Sequence, residues 1–491
     1  MSVFQKLLGQ AAVYGISTIL SRLMNLLFMP LYTNLFPPEV YGVYINLYAY
    51  VAFINVVLTF GMETAFFRFS QESSRPEAEY GGAFRWVALV TAAFSVLAGL
   101  LRSPLAAWMG YPGQERLILL LAGILALDAL AALPLARLRQ QERVKRFAFI
   151  TLANVLVTIA ANLAFVLGMG LGIEYVFVAN LIASAVRLGM SLWGNLPPRL
   201  RPERGRMQEM VSYGFYIMLA GFAGIMNETL DRVMLPRRWP DGSWFDGMAQ
   251  TGESLTGIYG ANYKVAMLIA LATQAFRYAA EPFFFKEAGE KDSPETFARI
   301  FHYYMIAALG GFLLIGSFMW EIVSFNAFGL TGSKTFVNQA YWSGLKAIPL
   351  LLGGYVLSGA YINMSIWFKI TKQTRFALLF TGTGALITIL VNYFGIPQAG
   401  YMAGAWATLL CYLVMSVLVY LAGQRYYPIP YRMGRLLLYA LGITLAWQLN
   451  AQIADSAGWA GSLMKAGLCT LALGGVVLAE RMAPVFQQQP G

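Results

Sequence analysis

Charge is scarce in this chain: of 491 residues only 12% are charged, while 58% are hydrophobic. An average soluble protein has about 25% charged and roughly 45–50% apolar residues. Half the usual charge is missing, which excludes a soluble enzyme, a secreted disulfide scaffold and a disordered chain. Cysteine is nearly absent. Cys411 and Cys469 both lie in apolar runs, where they read as small buried hydrophobes and not as disulfide partners. The one histidine, His302, stands where an apolar run begins after a charged loop, so neither a His/Cys metal site nor a nucleophile–His dyad is expected. No G-x-x-x-x-G-K-[ST] loop occurs, so ATP hydrolysis by such a loop is not expected. The expectation is a protein that is not an enzyme and holds no cofactor.

Long hydrophobic runs are what the sequence has in abundance. A helix of about 20 apolar residues spans a bilayer, and the runs predict an all-α polytopic membrane protein with about 14 such helices. The spans are expected at 9–33, 42–66, 84–101, 117–136, 147–168, 175–195, 212–235, 257–279, 299–321, 343–367, 376–394, 402–423, 436–450 and 461–480. The thirteenth is the shortest. The first contains Arg22 and Asn25 and is followed by Asn34-Leu35-Phe36-Pro37-Pro38, not by a small-residue cleavage site, so it is expected to be retained. Of 35 basic residues, 23 fall in alternate loops and ends, among them the Arg137–Arg146 loop; only Arg102, Arg116, Arg237, Arg238 and Lys334 fall on the other side. This bias places both termini in the cytoplasm. The net charge of +11 is then a topology signal and an attraction to anionic membrane lipids. No soluble basic face exists for nucleic acid.

The chain also matches itself. At an offset of 218 residues, Tyr41-Gly42 falls on Tyr259-Gly260, Glu63 on Glu281, Phe66-Phe67 on Phe284-Phe285 and Arg68 on Lys286. Tyr14-Gly15 opens span one as Tyr213-Gly214 opens span seven. Spans 1–6 and 7–12 therefore read as two copies of one unit. The organisation expected is a six-helix lobe over 1–211, a second over 212–435, and two further helices with a tail over 436–491. Parallel repeats imply a pseudo-twofold along the membrane normal and a central cavity between the lobes.

Charges inside a bilayer cost at least about 2.5–3.5 kcal/mol each and call for an explanation. Arg277, Glu63, Glu281, Lys346 and Lys465 lie near span ends, where snorkelling accounts for them. Asp128 and Arg187, near the middles of spans four and six, can neutralise one another. Glu228, Asp231 and Arg232 cluster near the end of span seven, with Glu228 and Arg232 at an i,i+4 spacing that suits an ion pair. Either set serves structure or couples transport to a proton or Na⁺ gradient. Arg22 and Lys264 differ in having no acidic residue within a helical turn. They come from opposite halves, on the helices expected to line the cavity, and cations in such a cavity suit an anionic substrate. Asn25, Asn262 and Tyr263 stand beside them and add the amide and aromatic groups that bind sugars, although Asn and Tyr also serve as helix glue and interface anchors.

The pattern Gly15…Ser21-Arg22…Pro30-Leu31-Tyr32-Thr33-Asn34…Pro37-Pro38-Glu39-Val40-Tyr41-Gly42 resembles the opening of bacterial polysaccharide-export flippases. These are O-antigen and lipid-linked oligosaccharide translocases of the multidrug/oligosaccharidyl-lipid/polysaccharide superfamily. The resemblance implies a V-shaped, two-lobed carrier in the bacterial inner membrane. It would be a monomer, working beside other polysaccharide-assembly proteins, that moves an undecaprenyl-pyrophosphate-linked oligosaccharide to the outer leaflet by alternating access. Related peptidoglycan-precursor flippases use basic residues on helices one and eight, which here carry Arg22 and Lys264. Two rivals stand against this. A multidrug cation antiporter of the same superfamily should have an acid-lined cavity within twelve spans. A membrane glycosyltransferase or polymerase should have a long outer catalytic loop.

Overall fold

The computed structural model describes residues 20, 23–24, 26–200, 202–288, 290, 292–326, 335–373, 375–453 and 458–482. Among them, twelve helices are long and apolar enough to cross a membrane. The expected all-α polytopic fold is the one found. Two of the fourteen expected spans fall outside that set. Of span 9–33 the described part is a short apolar helix, α1 (Leu26–Leu35). The thirteenth is present as a helix of 19 residues that carries Arg435, Gln448 and Asn450.

By internal packing the chain divides into two units: Met1–Asn25 with Val43–Val233, and Leu26–Gly42 with Met234–Gly491. The first holds most of α2 (Pro38–Thr59), then α3 (Met62–Gln71), α4 (Pro76–Leu100), α5 (Arg102–Trp108), α6 (Glu115–Gln140), α7 (Val144–Asn162), α8 (Glu174–Leu192) and most of α9 (Arg204–Arg238). Its core is set by Phe66, Tyr80, Leu125 and Leu133, all nearly fully buried. The expected continuous span 42–66 is broken between α2 and α3, where Phe60 and Gly61 have φ of 52° and 65°. The break lets Gly214 of α9 approach closely: a Cβ on Gly61 would lie 2.6 Å from the Gly214 carbonyl oxygen, and one on Gly214 2.6 Å from that of Phe60.

The second unit begins with α1 and the first turn of α2. After α9 come a hairpin of β1 (Trp244–Phe245) and β2 (Met248–Ala249), then α10 (Gly252–Glu287), α11 (Ser293–Ser317) and α12 (Met319–Ser324). A 3₁₀ segment (Gln339–Ala347) leads into α13 (Ile348–Met364), α14 (Ile366–Ile370), α15 (Arg375–Ala399) and α16 (Tyr401–Tyr426). The last two helices are α17 (Met433–Ala451) and α18 (Gly458–Met482). Thr251 caps α10 by accepting from the Ser254 amide at 3.1 Å. This helix is the buried axis of the unit. Its span is 72% buried, against 17% for α18, whose exposed leucines suit contact with lipid.

Each unit repeats one ion pair. Glu63 accepts from Arg139 at 3.0 Å in the first, and Glu281 accepts from Lys369 in the second. In both, the carboxylate matched by the 218-residue offset meets a cation at the end of that half's fourth span. The expectation that Glu63 and Glu281 merely snorkel therefore gives way to pairing. Lys465, also expected to snorkel, has a side chain only 4% exposed and pairs with Glu321 at 3.0 Å. Lys346 pairs with Asp246 at 2.7 Å. No disulfide forms: Cys411 lies against Met415, and Cys469 accepts from Asn450 on another helix.

Candidate functional site: a lysine held by a tyrosine

The second unit builds its polar site from a glycine crossing. Pro38 and Glu39 favour a helix start at the first turn of α2, through the fixed proline φ and an acidic side chain near the N-terminus. This turn lies directly on α10. A Cβ on Gly42 would fall onto the Glu253 carbonyl, and one on Gly257 onto the Pro38 carbonyl. Two bare backbones can approach this closely only when both residues lack side chains.

The crossing delivers Tyr41 to Lys264. The Lys264 ammonium donates to the Tyr41 hydroxyl at 2.8 Å and lies 5.4 Å from the centre of its ring. The Tyr41 hydroxyl is a neutral acceptor that holds the ammonium in place. The aromatic surround is dense: Tyr41 meets Tyr341 edge-on at 5.8 Å, and Tyr263 meets Tyr259 and Tyr355 in the same manner at 5.8 and 5.7 Å. Tyr341 donates to the Phe36 carbonyl and Tyr401 to that of Ser343, which ties the 3₁₀ segment to both neighbours.

Asn262 sits differently from a sugar-binding amide. It is fully buried, and its amide nitrogen donates to the carbonyls of Ile258 and Tyr341, each at 2.8 Å. It therefore fixes α10 to the 3₁₀ segment. Tyr263 is 6% exposed and packs between two rings. Arg22 and Asn25 lie outside the described residues.

Asp128, Arg187, Glu228, Asp231 and Arg232 lie in the first unit. Asp128 and Arg187 stand 3.5 Å apart, each side chain about 30% exposed, as their positions in spans four and six suggested. Tyr48 accepts from the Asn180 amide, seven residues before Arg187 on α8. Arg187→Ala alone is expected to destabilise more than Arg187→Ala with Asp128→Ala, because the single change leaves a carboxylate half-buried without its cation. Equal melting temperatures for the two variants would exclude the pairing.

Near the end of α9, Arg232 departs from the expected Glu228 ion pair. Its guanidinium donates to the Glu228 main-chain carbonyl at 2.9 Å and approaches the buried Asp231 carboxylate at 3.7 Å. Its own carbonyl accepts from Asn46, which in turn accepts from the Tyr111 hydroxyl. The cluster is thus a junction of α2, α9 and the loop before α6.

Sequence reasoning undervalued Arg277. Among the described residues it has no carboxylate partner; its guanidinium lies 5.8 Å from the Tyr278 ring, with Nε buried and without a hydrogen bond. Its position alone suggested snorkelling, and only the packing around α10 separates it from the paired cations.

Comparison with known proteins places these features in context. A family model described as "Polysaccharide biosynthesis protein" matches residues 33–243. No curated protein sequence matches the chain. Among solved structures, the lipid II flippase MurJ in an inward closed conformation is similar with a TM-score of 0.72 and 12% identity, covering 96% of this chain and 99% of that one. An inward-facing multidrug resistance MATE family transporter of the MOP superfamily gives a TM-score of 0.61 and 15% identity, covering 89% and 96%. Residues 33–243 thus match the polysaccharide biosynthesis protein model, and the chain has the expected fold, that of the lipid-flippase and multidrug-transporter structures.

Proposed function

We propose that this protein is a flippase. It carries an undecaprenyl-pyrophosphate-linked oligosaccharide from the cytoplasmic to the outer leaflet of the bacterial inner membrane by alternating access, for surface polysaccharide biosynthesis. Both termini face the cytoplasm. The observation that carries this proposal is an apolar groove of about 450 Å³ in the second unit, between α11, α13, α16 and α17. Phe301, Met305, Val356, Leu413, Leu437 and Ala440 line it. Its Ser416 and Thr444 hydroxyls are turned to the carbonyls of Leu357 and Ala440. A groove of this kind suits a hydrocarbon chain and offers little to a hydrophilic cation. One wall, α17, comes from the part of the chain beyond the two six-span sets. That favours a lipid carrier over a twelve-span cation antiporter.

In this mechanism the lipid tail lies in the groove while Lys264, Arg277 and Arg22 attract the pyrophosphate. A guanidinium can hold phosphate through two parallel hydrogen bonds, and the Tyr41-bound ammonium acts as a point charge. Coupling to a proton or Na⁺ gradient runs through Asp128, Asp231 or Glu228, the acidic side chains within the spans.

Three variants test the proposal in cells. Lys264→Ala and Arg22→Ala are each expected to abolish surface polysaccharide with normal protein in the membrane, and Ala440→Trp to do so by filling the groove. If all three export normally at wild-type protein levels, the cationic site and the tail groove are both wrong.

A further inference from the structure

The two copies of the repeat part company at one place. At the 218-residue offset, Phe60-Gly61 of the first unit falls on Tyr278-Ala279 of the second. There α10 runs on as one helix to Glu287, whereas the first copy is divided into α2 and α3. The repeat therefore does not require the break. It belongs to these two residues: Phe60 and Gly61 take φ of 52° and 65°, left-handed values that a bulky side chain adopts only at a steric cost. α2 closes on a bond from the Phe60 amide to the Val56 carbonyl, and α3 opens on one from the Ala65 amide to the Gly61 carbonyl, both 3.1 Å.

The pieces on either side are fastened to different partners. α3 is held on α6 by the Glu63–Arg139 pair at 3.0 Å and by Gln140, whose amide donates to the Ser70 hydroxyl at 2.6 Å. It is also held on the start of α9, where Arg206 donates to the Phe69 carbonyl at 3.1 Å. α2 is held on the later part of α9: Asn46 donates to the Arg232 carbonyl at 2.7 Å, and Phe53 packs on Phe222 at 5.3 Å. Gly214 divides these two parts of α9, and it meets Phe60 and Gly61 backbone to backbone. Only 11% of the α9 span is buried, so few contacts resist its bending. A strained residue survives only where its surroundings hold it, and such residues gather at switch points.

We propose that Phe60-Gly61 is a hinge with two settings: the broken one of this structure, and a straight one in which α2 and α3 join into a single helix as α10 does. Joining releases Phe60 from its left-handed conformation and restores the interrupted helical ladder. It gives up the backbone contact with Gly214. α2, with α9 beyond Gly214, then swings against α3 and α6. The hinge works in the same way whatever the protein carries, so it stands apart from the choice of substrate.

The test reads the distance between spin labels on Ala52→Cys in α2 and Gln71→Cys at the end of α3, by double electron–electron resonance. It uses the full chain carrying Cys411→Ala and Cys469→Ala, with no substrate added. A continuous helix sets these two sites about 29 Å apart, and a bent one brings them closer. With the native hinge residues both distances are expected. Phe60→Gly removes the steric cost of the broken setting and should shift the ratio about tenfold toward the short distance. Gly61→Ala acts the other way: its methyl would lie 2.6 Å from the Gly214 carbonyl oxygen, and alanine favours helix. It should shift the ratio about tenfold toward the long distance. The proposal is overturned if the native hinge gives a single distance that Phe60→Gly leaves unchanged, or if Gly61→Ala shortens the distance. Should Gly61→Ala fail to fold, Phe60→Gly decides alone.

Discussion

Gly42→Ala is expected to destabilise the protein and abolish transport, even though replacing a mid-helix glycine by alanine ordinarily stabilises a helix by about 1 kcal/mol. The reason for the reversed sign is the crossing with α10. The new methyl would fall onto the Glu253 carbonyl, a backbone group that cannot rotate aside as a side chain could. Overfilling a packed contact costs about 1–3 kcal/mol, and separating two backbones belongs at the upper end. Gly257→Ala should behave alike, since its methyl would strike the Pro38 carbonyl. The pair should be strongly non-additive, because the first substitution already forces the helices apart. Tyr41 moves with the first turn of α2, so the 2.8 Å contact to Lys264 is lost as well. Thermal melting of the purified variants reads the stability, and surface polysaccharide reads the transport. A raised melting temperature for Gly42→Ala would show that the crossing is not close.

Glu480→Ala is expected to loosen α17 and α18 from α11. Three side chains converge on one oxygen of this carboxylate: His302 at 3.1 Å, Arg435 at 3.2 Å and the Tyr439 hydroxyl at 2.6 Å. His302 is 1% exposed. Breaking a buried pair by removing one partner costs about 3–5 kcal/mol. The Arg435 side chain is 24% exposed, so the lower end is appropriate here. Other polar ties remain further along the same helices: Asn450 donates to Ser317, and Lys465 pairs with Glu321. The helices should therefore part at the His302 end while staying attached at the other. That end also bounds the apolar groove, through Phe301 and Leu436. A lower melting temperature and reduced transport are both expected, with Glu480→Gln intermediate because it keeps an acceptor. Wild-type melting for Glu480→Ala would remove the carboxylate from the account.

His302 shows how far composition reaches. A lone histidine without a local partner gives no expectation of a histidine-based metal site or dyad. Its actual partners come from α17 and α18, more than a hundred residues away in sequence, and no local pattern announces them. Lys264 and Asn262 make the same point within a single turn. Both are polar residues on one span of α10, and sequence made both candidates for the site. Packing separates them: Asn262 is locked to the Tyr341 carbonyl, whereas Lys264 is held by a phenol.

The sequence by itself determined the class of molecule, the approximate spans and the repeat. These follow from one-dimensional quantities: run length against bilayer thickness, the side on which arginines accumulate, and polar residues matched at a constant offset. Asp128 and Arg187 were also legible, since two opposite charges deep in one half favour pairing over separate burial. The tertiary structure decided which charges are cancelled, where α2 breaks at Phe60-Gly61, why Gly42 must be glycine, and that α17 walls an apolar groove. Each of these depends on which helix faces meet. In a chain whose helices are apolar nearly all round, periodicity says little about which face turns inward. Contacts between distant residues make that choice, and the charge so scarce along the sequence acquires its meaning from them.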